Sequence, residues 1–214
     1  MSKDVNIYVL TGSGRLNPFK KQIIKSANYL LEIIKSKIPL PNMDIVFYDN
    51  PDGAIPHLGV GAQTINPNLV FISLDPDFQH FERVINGEVE RILVHELHHC
   101  VRWQHPGYGK TLLQALISEG LADHFDIEVT KKKPQRWNIA LTNKQMVSFR
   151  KKAKKEYYKK DYDHYSWFFG SKRKGIPKWT GYTIGFNIVG KYLKRHPDKK
   201  PSLLYATHAE EFIK

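Results

Sequence analysis

The stretch that most constrains this chain is ILVHELHHCVR, residues 92 to 102, which sets polar, metal-binding side chains into an apolar run. At about 100° per residue of an α-helix, His95 and His99 lie one turn apart, so both imidazoles can reach the same ion. The apolar residues of the stretch share the opposite arc. The pattern therefore predicts a helix, starting around Glu88, that is buried on most sides and carries a histidine pair along one edge.

Glu96 completes an HExxH motif with these two histidines. It lies about 100° around the helix from His95, where it can reach a metal-bound water rather than the metal. A chance match in a chain with ten histidines is the alternative. However, buried imidazoles and a carboxylate would each need a partner, at about 1–3 kcal/mol per unsatisfied group. One zinc ion provides that partner for all of them, so we predict a zinc site with Glu96 as general base.

A third zinc ligand is predicted in TLLQALISEGLADHF, residues 111 to 125. Its leucines recur at helical spacing, Thr111 is a suitable N-cap, and Glu119 interrupts the apolar face. Asp123 follows one turn later on the same face, where a carboxylate can accept the second N–H of a ligating imidazole. The alternative for both acidic residues is a solvated helix face, which the apolar flanking residues disfavour.

HELHH followed about twenty residues later by EGLAD resembles the gluzincin branch of the zinc metallopeptidases, whose pattern is HExxH plus ExxxD. More narrowly, the chain resembles the DUF2268 family of predicted zinc-dependent proteases. The stretches RILVHELHHCVRW, TLLQALISEGLADHF and GYTIGFNIVGKYLKRHP carry this resemblance, which covers most of the chain from about residue 55. It implies one zinc ion bound by His95, His99 and Glu119, with Glu96 as base and Asp123 as the partner of His95.

Strands are predicted at residues 5–12, 43–50 and 69–75, and an amphipathic helix at 17–37. Residues 51–68, rich in glycine and proline, are predicted to form a loop. The strand directly before the zinc helix is expected at the cleft, where an unpaired edge can bind an extended peptide. The GVGAQ stretch of the loop is interpreted either as part of the substrate-binding surface or only as a turn.

The fold class that we predict is α+β and zincin-like, with a small mixed sheet and the active-site helix over a mainly helical C-terminal lobe. Residues 1–128 would form the N-terminal lobe, with the sheet, the HExxH helix and the third-ligand helix. Residues 129–214 would add a basic segment and the helical lobe, and the two lobes would make one catalytic unit.

Helical periodicity returns in KWTGYTIGFNIVGKYLKRHP, and a last helix is predicted from Pro201 through SLLYATHAEEFI. Because gluzincins commonly bring a tyrosine or histidine from a downstream helix to the oxyanion, Tyr182 is the catalytic candidate here. A core tyrosine is the alternative. Cys100 is predicted to be a small core residue, and His98 to form hydrogen bonds within the core.

Residues 131–175 hold fifteen Lys or Arg and three Asp or Glu, a net charge of +12 that equals the whole chain's. Basic and aromatic residues alternate in KKKPQRW and RKKAKKEYYKKDYDHYSWFF, as on surfaces that contact phosphate or acidic polypeptides. The alternative is a solvated helix whose aromatic residues anchor it to the core. No nucleic-acid-binding module is recognisable, so nucleic acid is the less favoured partner.

The composition suits a chain with a substantial core, 41% hydrophobic over 214 residues. One cysteine, no signal-peptide pattern and no apolar run long enough for a membrane span predict a cytoplasmic protein. The predicted function is hydrolysis of peptides or proteins, acidic ones among them, by metal-activated water. The alternative is a non-catalytic zinc protein whose basic segment binds nucleic acid or an acidic partner, although structural zinc sites usually have four ligands and favour cysteine.

Overall fold

The computed structural model describes residues 4–214, which form two compact units that divide after Gln104. The first unit contains β1 (Val5–Val9), α1 (Lys20–Lys35), β2 (Met43–Asp49), β3 (Val60–Asn66), β4 (Leu69–Leu74), α2 (Phe81–Ile85) and α3 (Glu88–Trp103). The second contains α4 (Leu112–Thr130), α5 (Asn143–Lys154), α6 (His164–Phe169) and α7 (Thr180–Arg195). The predicted α+β class with a small mixed sheet is confirmed. The division into two lobes of one catalytic unit, with a boundary after residue 128, stays a prediction.

The sheet of the first unit has the strand order β1-β2-β4-β3. β1, β2 and β4 run parallel, and β3 pairs with β4 in the antiparallel sense. Parallel neighbours need a crossover connection, which α1 provides between β1 and β2. α1 buries one face of its amphipathic pattern, formed by Ile23, Ala27, Leu30, Leu31 and Ile34.

Two predictions about this sheet are wrong. Residues 51–68 are not all loop, because β3 occupies Val60–Asn66. The strand directly before α3 is not at an edge either. This strand, β4, pairs with both β2 and β3, so β3 forms the edge of the sheet on that side. Gly61, which favours a loop in the sequence, lies within β3. A Cβ there would lie 2.2 Å from the carbonyl oxygen of Gly53, so this glycine permits close packing rather than a turn.

The predicted helix start at Glu88 is confirmed, and α3 is buried over most of its length. In the second unit, α4 and α7 form the principal helix pair. The predicted cap of α4 is also confirmed. The Thr111 hydroxyl accepts a hydrogen bond from the backbone N–H of Gln114, whose side chain accepts one from the N–H of Thr111, a reciprocal capping box.

The predicted last helix from Pro201 is wrong. The chain forms two short 3-10 turns instead, Pro201–Leu203 and Ala209–Ile213. Leu204 and Ala209 are both buried, yet residues five apart would lie about 140° apart around a continuous helix. Separate turns let both side chains reach the core of the unit.

Among residues 4–214, no helix combines the length and apolar character needed to cross a bilayer. The expected cytoplasmic location stays a prediction.

Candidate metal centre

His95 and His99 converge on one side of α3, as the helical spacing predicted. Both are buried, and their Nε2 atoms lie 3.0 Å apart. The rings meet edge to face, with centroids 4.7 Å apart and an interplanar angle of 83°. Two imidazole nitrogens this close point at the same small volume, which is the arrangement that ligands of one ion require.

Glu96 is held by a residue that the sequence analysis missed. Thr64, in β3, donates its backbone N–H to Glu96 Oε2 at 2.9 Å and its hydroxyl to the same oxygen at 2.6 Å. Within residues 4–214 no hydrogen bond to Glu96 Oε1 is found. The carboxylate is therefore anchored through one oxygen and presents the other. The sequence pattern predicts a loop at Thr64, whereas the structure has this residue in a strand beside the helix.

Cys100 lies one helical turn after Glu96 on α3 and is fully buried, so the prediction of a small core residue is confirmed. Its sulfur lies 3.9 Å from the hydroxyl oxygen of Thr64. Burial raises the pKa of the Cys100 thiol to about 12. The side chain therefore stays a neutral thiol near pH 7, and it is suited to packing rather than to metal binding or nucleophilic attack.

Glu119 is buried in α4, with 4% of its surface exposed. The Tyr108 hydroxyl donates to Glu119 Oε1 at 2.5 Å. Burial and, next, the charge of Glu119 raise the pKa of Tyr108 well above its usual value, so this phenol remains a donor. Tyr108 is a second residue that sequence reasoning missed, since the loop HPGYGK carries no helical or strand pattern.

The charge of Glu119 also acts on Tyr162 and His164. Burial, with the charge of Glu119 as the smaller cause, raises the pKa of Tyr162 to about 12. Burial lowers the pKa of His164, and the charge of Glu119 opposes that shift. The Tyr162 hydroxyl oxygen lies 3.0 Å from His164 Nδ1. The Tyr108 hydroxyl therefore contacts the Glu119 carboxylate directly, and the charge of this carboxylate also influences the Tyr162 and His164 side chains.

Asp123 and Tyr182 also lie in the second unit. Asp123 is 2% exposed, and its Oδ1 accepts a hydrogen bond from the Trp137 indole at 3.0 Å. Tyr182 lies in the first turn of α7, with its ring centroid 5.0 Å from that of Phe168 in an edge-to-face contact. The partnership of Asp123 with His95 and the oxyanion role of Tyr182 both stay predictions.

His95, His99 and Glu119 each offer one potential ligand atom, and these three atoms all lie within 4.8 Å of one another. Two imidazoles and one carboxylate are a donor set that catalytic zinc sites use, with a fourth position left for water. The residues present therefore fit the ion that the sequence motif predicts.

Comparisons with known proteins find a family of predicted zinc-dependent proteases. A family model described as "Predicted Zn-dependent protease (DUF2268)" matches residues 21–214. "Uncharacterized protein YjaZ" of Bacillus subtilis (strain 168) is 34% identical over 133 residues, which are 58% of this chain. The match spans 47% of that relative's length. No solved structure matches the chain.

Proposed function

The chain belongs to the DUF2268 family of predicted Zn-dependent proteases, and from this premise we propose that it hydrolyses peptide bonds as a zinc peptidase of the gluzincin type. The observation that carries the proposal is the group of potential ligand atoms from His95, His99 and Glu119, all within 4.8 Å of one another. The HExxH spacing adds Glu96 as a base on the same helix. One zinc ion per chain is proposed.

His95, His99 and Glu119 would hold the ion. Zinc, when bound, supplies a Lewis acid that polarises the scissile carbonyl and lowers the pKa of a water at its open position to about 7. Tyr108 orients the Glu119 carboxylate by donating its hydroxyl hydrogen to it. Asp123 is proposed to fix the tautomer of His95 by accepting its second N–H.

Glu96 is proposed to move the proton. Its Oε2 is held by the two donors of Thr64, so Oε1 takes the proton of the attacking water as the water oxygen bonds to the carbonyl carbon. The C–N bond then breaks, and Oε1 returns the proton to the departing amine nitrogen. Thr64 is a positioning residue in this scheme, because it limits the rotation of the carboxylate.

Stabilisation of the developing oxyanion is proposed for a donor of the second unit. Tyr182 is the candidate that the gluzincin resemblance implies. The pair formed by Tyr162 and His164 is a further candidate, because the ring centroid of His164 lies 6.3 Å from that of Tyr108, which contacts Glu119. A phenol or imidazole N–H there would add a hydrogen bond to the polarising effect of the metal.

An extended substrate is proposed to bind along β3, the edge strand beside α3. The backbone N–H of Thr64 donates to Glu96 and not to β4. Since backbone directions alternate along a strand, Ala62 also turns its N–H and C=O away from β4. These groups can pair with a peptide by strand addition, which would bring its carbonyl close to the histidine helix.

A comparison of wild type with two variants tests the proposal. Zinc would be measured by elemental analysis and hydrolysis by digestion of a peptide library. Glu96→Gln should keep the zinc and lose hydrolysis by about 100-fold or more, because the amide accepts no proton. His99→Ala should lose both. Hydrolysis by Glu96→Gln at the wild-type rate would remove Glu96 from the mechanism. Zinc without any hydrolysis in the wild type would favour the non-catalytic binding alternative.

A further inference from the structure

The second unit contains a cavity of about 490 Å³ that has no place in the proposed peptidase chemistry. Its buried apolar wall includes Tyr157, Ile188 and Phe212. Six of the ten lining residues are Lys or Arg, and none is Asp or Glu. The cationic ones are Arg150, Lys154, Lys191, Lys194, Arg195 and Lys214.

Two of these cations already have partners within the fold. Arg195 donates from Nη1 to the carbonyl oxygen of Lys214 at 2.6 Å, and the Lys214 ammonium pairs with Glu211. The other four form no ion pair with any residue of the described range 4–214. They are Arg150, Lys154, Lys191 and Lys194. Uncompensated charges of one sign around a cavity repel one another and raise the local concentration of anions.

Two donors at the wall are also unused. Arg150 Nε is buried and has no hydrogen-bond partner in the described part of the chain. The Tyr157 hydroxyl forms no hydrogen bond to residues 4–214 either, although Tyr157 lines the cavity. Both side chains line the same cavity, and the charge of Arg150 opposes the rise that burial causes in the pKa of Tyr157. Arg150 Nε lacks the partner that buried donors usually have, so this guanidinium is not committed to a contact within the described part of the chain.

We propose that this cavity binds a small organic molecule that carries two or more phosphate groups. Each phosphate monoester carries about −1.5 to −2 charges at pH 7, so two of them balance the four unpaired cations within one small ligand. An acidic peptide would need about four carboxylate side chains to carry the same charge, which a small ligand concentrates in two groups. Arg150 is suited to forked hydrogen bonds with a phosphate, and the lysines act as point charges.

The apolar wall indicates that the ligand is organic rather than inorganic. Ile188 and Phe212 offer an apolar surface that a phosphate group cannot use. Ligand cavities of about 300–1,000 Å³ accommodate small molecules with one polar and one apolar part. The inference is independent of the proposed peptidase activity, because no residue that lines the cavity is a proposed zinc ligand or a proposed catalytic residue.

Calorimetric titration of the full chain with three probes at about 0.15 M salt tests the proposal. ADP supplies both phosphates and an organic part, pyrophosphate supplies only the charge, and adenosine supplies only the organic part. We expect ADP to bind more tightly than pyrophosphate and adenosine not to bind. Absence of binding by both ADP and pyrophosphate at about 1 mM would overturn the proposal. Tighter binding of a hexaglutamate peptide than of ADP would overturn it as well, in favour of an acidic polypeptide.

Paired variants separate this cavity from the general basic field. Arg150→Gln with Lys154→Gln removes two cavity charges, and Lys151→Gln with Lys155→Gln removes two charges from the same region outside the cavity. The first pair should weaken ADP binding by about 10-fold or more, and the second by less than about 3-fold. Equal weakening by both pairs would contradict a built site.

Two milder substitutions keep the test decisive if the first pair impairs folding. Lys191→Glu reverses an exposed cavity charge, and Tyr157→Phe removes only the wall hydroxyl. Both should weaken ADP binding while the circular dichroism spectrum stays that of the wild type. Unchanged binding in both folded variants would overturn the proposal.

Discussion

His95 and His99 place two ring nitrogens 3.0 Å apart in a buried environment. A proton on one nitrogen can bridge them, but it satisfies only that pair. An ion bound there would engage both lone pairs and the Glu119 carboxylate together, and its binding free energy would add to the free energy of folding. Metal content is therefore the most direct property of these residues to measure.

We predict about one zinc per chain in the wild type and nearly none in His95→Ala, His99→Ala or Glu119→Gln, because each variant lacks one of only three protein ligands. Elemental analysis of the purified proteins measures this. His105→Ala is the control, since His105 is exposed and its ring centroid lies 5.0 Å from that of Tyr205, and it should keep the zinc. Full zinc in both ligand-histidine variants would show that the ligand assignment is wrong.

Thr64 permits a test of how Glu96 is positioned. Thr64→Val removes the hydroxyl donor to Glu96 Oε2 and keeps the backbone N–H, whereas Thr64→Ser keeps both donors. If the peptidase proposal holds, we predict that kcat of the valine variant falls about 10-fold, equivalent to about 1.4 kcal/mol, with KM and zinc content unchanged. The serine variant should stay close to wild type. A serine variant as slow as the valine variant would contradict the assignment of the effect to the hydrogen bond, because serine keeps the hydroxyl donor.

At the scale of elements, the α4–α7 packing of the second unit depends on two glycines that face each other. A Cβ on Gly120 would lie 2.4 Å from the carbonyl oxygen of Gly185, and a Cβ on Gly185 would lie 2.0 Å from that of Leu116. Neither distance is compatible with a side chain, so the two helix backbones approach as closely as glycine allows. α4 carries Glu119, and this packing therefore supports a proposed zinc ligand.

We predict that Gly185→Ala lowers the free energy of unfolding by about 1–3 kcal/mol or more, because backbone atoms cannot move aside without separating the helices. Urea unfolding followed by circular dichroism measures the change. Gly12→Ala is the matched control, since no atom lies within 4 Å of a Cβ there, and it should unfold close to the wild-type midpoint. A wild-type midpoint for Gly185→Ala would contradict the close approach of α4 and α7.

At the scale of the whole molecule, the charge distribution is the dominant feature. The net charge of +12 equals that of residues 131–175, so the remainder of the chain is neutral in sum. Aromatic residues of this segment such as Tyr157, Trp167 and Phe168 are buried, while most of its lysines are exposed. Buried aromatic side chains thus attach this segment to the core of the second unit, while its exposed lysines contribute a positive field.

If acidic peptides are substrates, their cleavage should slow as salt rises, because the Debye length falls from about 10 Å at 0.1 M to about 3 Å at 1 M. We predict that replacing Lys151, Lys155, Lys159 and Lys160 by Gln flattens this dependence of kcat/KM and leaves neutral peptides unaffected. These lysines are exposed and do not line the cavity formed by Arg150, Tyr157 and their neighbours. Identical salt profiles in wild type and variant would make them a solvated face.

Nucleic acid is the remaining partner class for this charge. Binding of DNA or RNA that weakens with salt, is lost in the same four-lysine variant and persists in Glu96→Gln would support the binding-protein alternative. Absence of such binding would favour acidic substrates over nucleic acid as the partners of residues 131–175.

The sequence by itself determined the features that depend on neighbours along the chain. The helical period brings His95 and His99 together on α3, and the cap at Thr111 begins α4, since both effects act within one or two helical turns. The strands Met43–Asp49 and Leu69–Leu74 were predicted to within a residue from their apolar composition. The two histidines and the glutamate of HELHH were sufficient to predict a zinc site.

Only the tertiary structure decided the features that depend on distant partners. In the sequence, Gly61 interrupts the strand pattern. In the folded chain, it allows β3 to pass close to Gly53. Thr64 donates a hydrogen bond to Glu96, 32 residues later in the chain. The cavity of the second unit is lined both by residues of α5 and by Phe212. No local pattern encodes such pairs, because the contact energies that select them arise only once strands have paired and helices have packed.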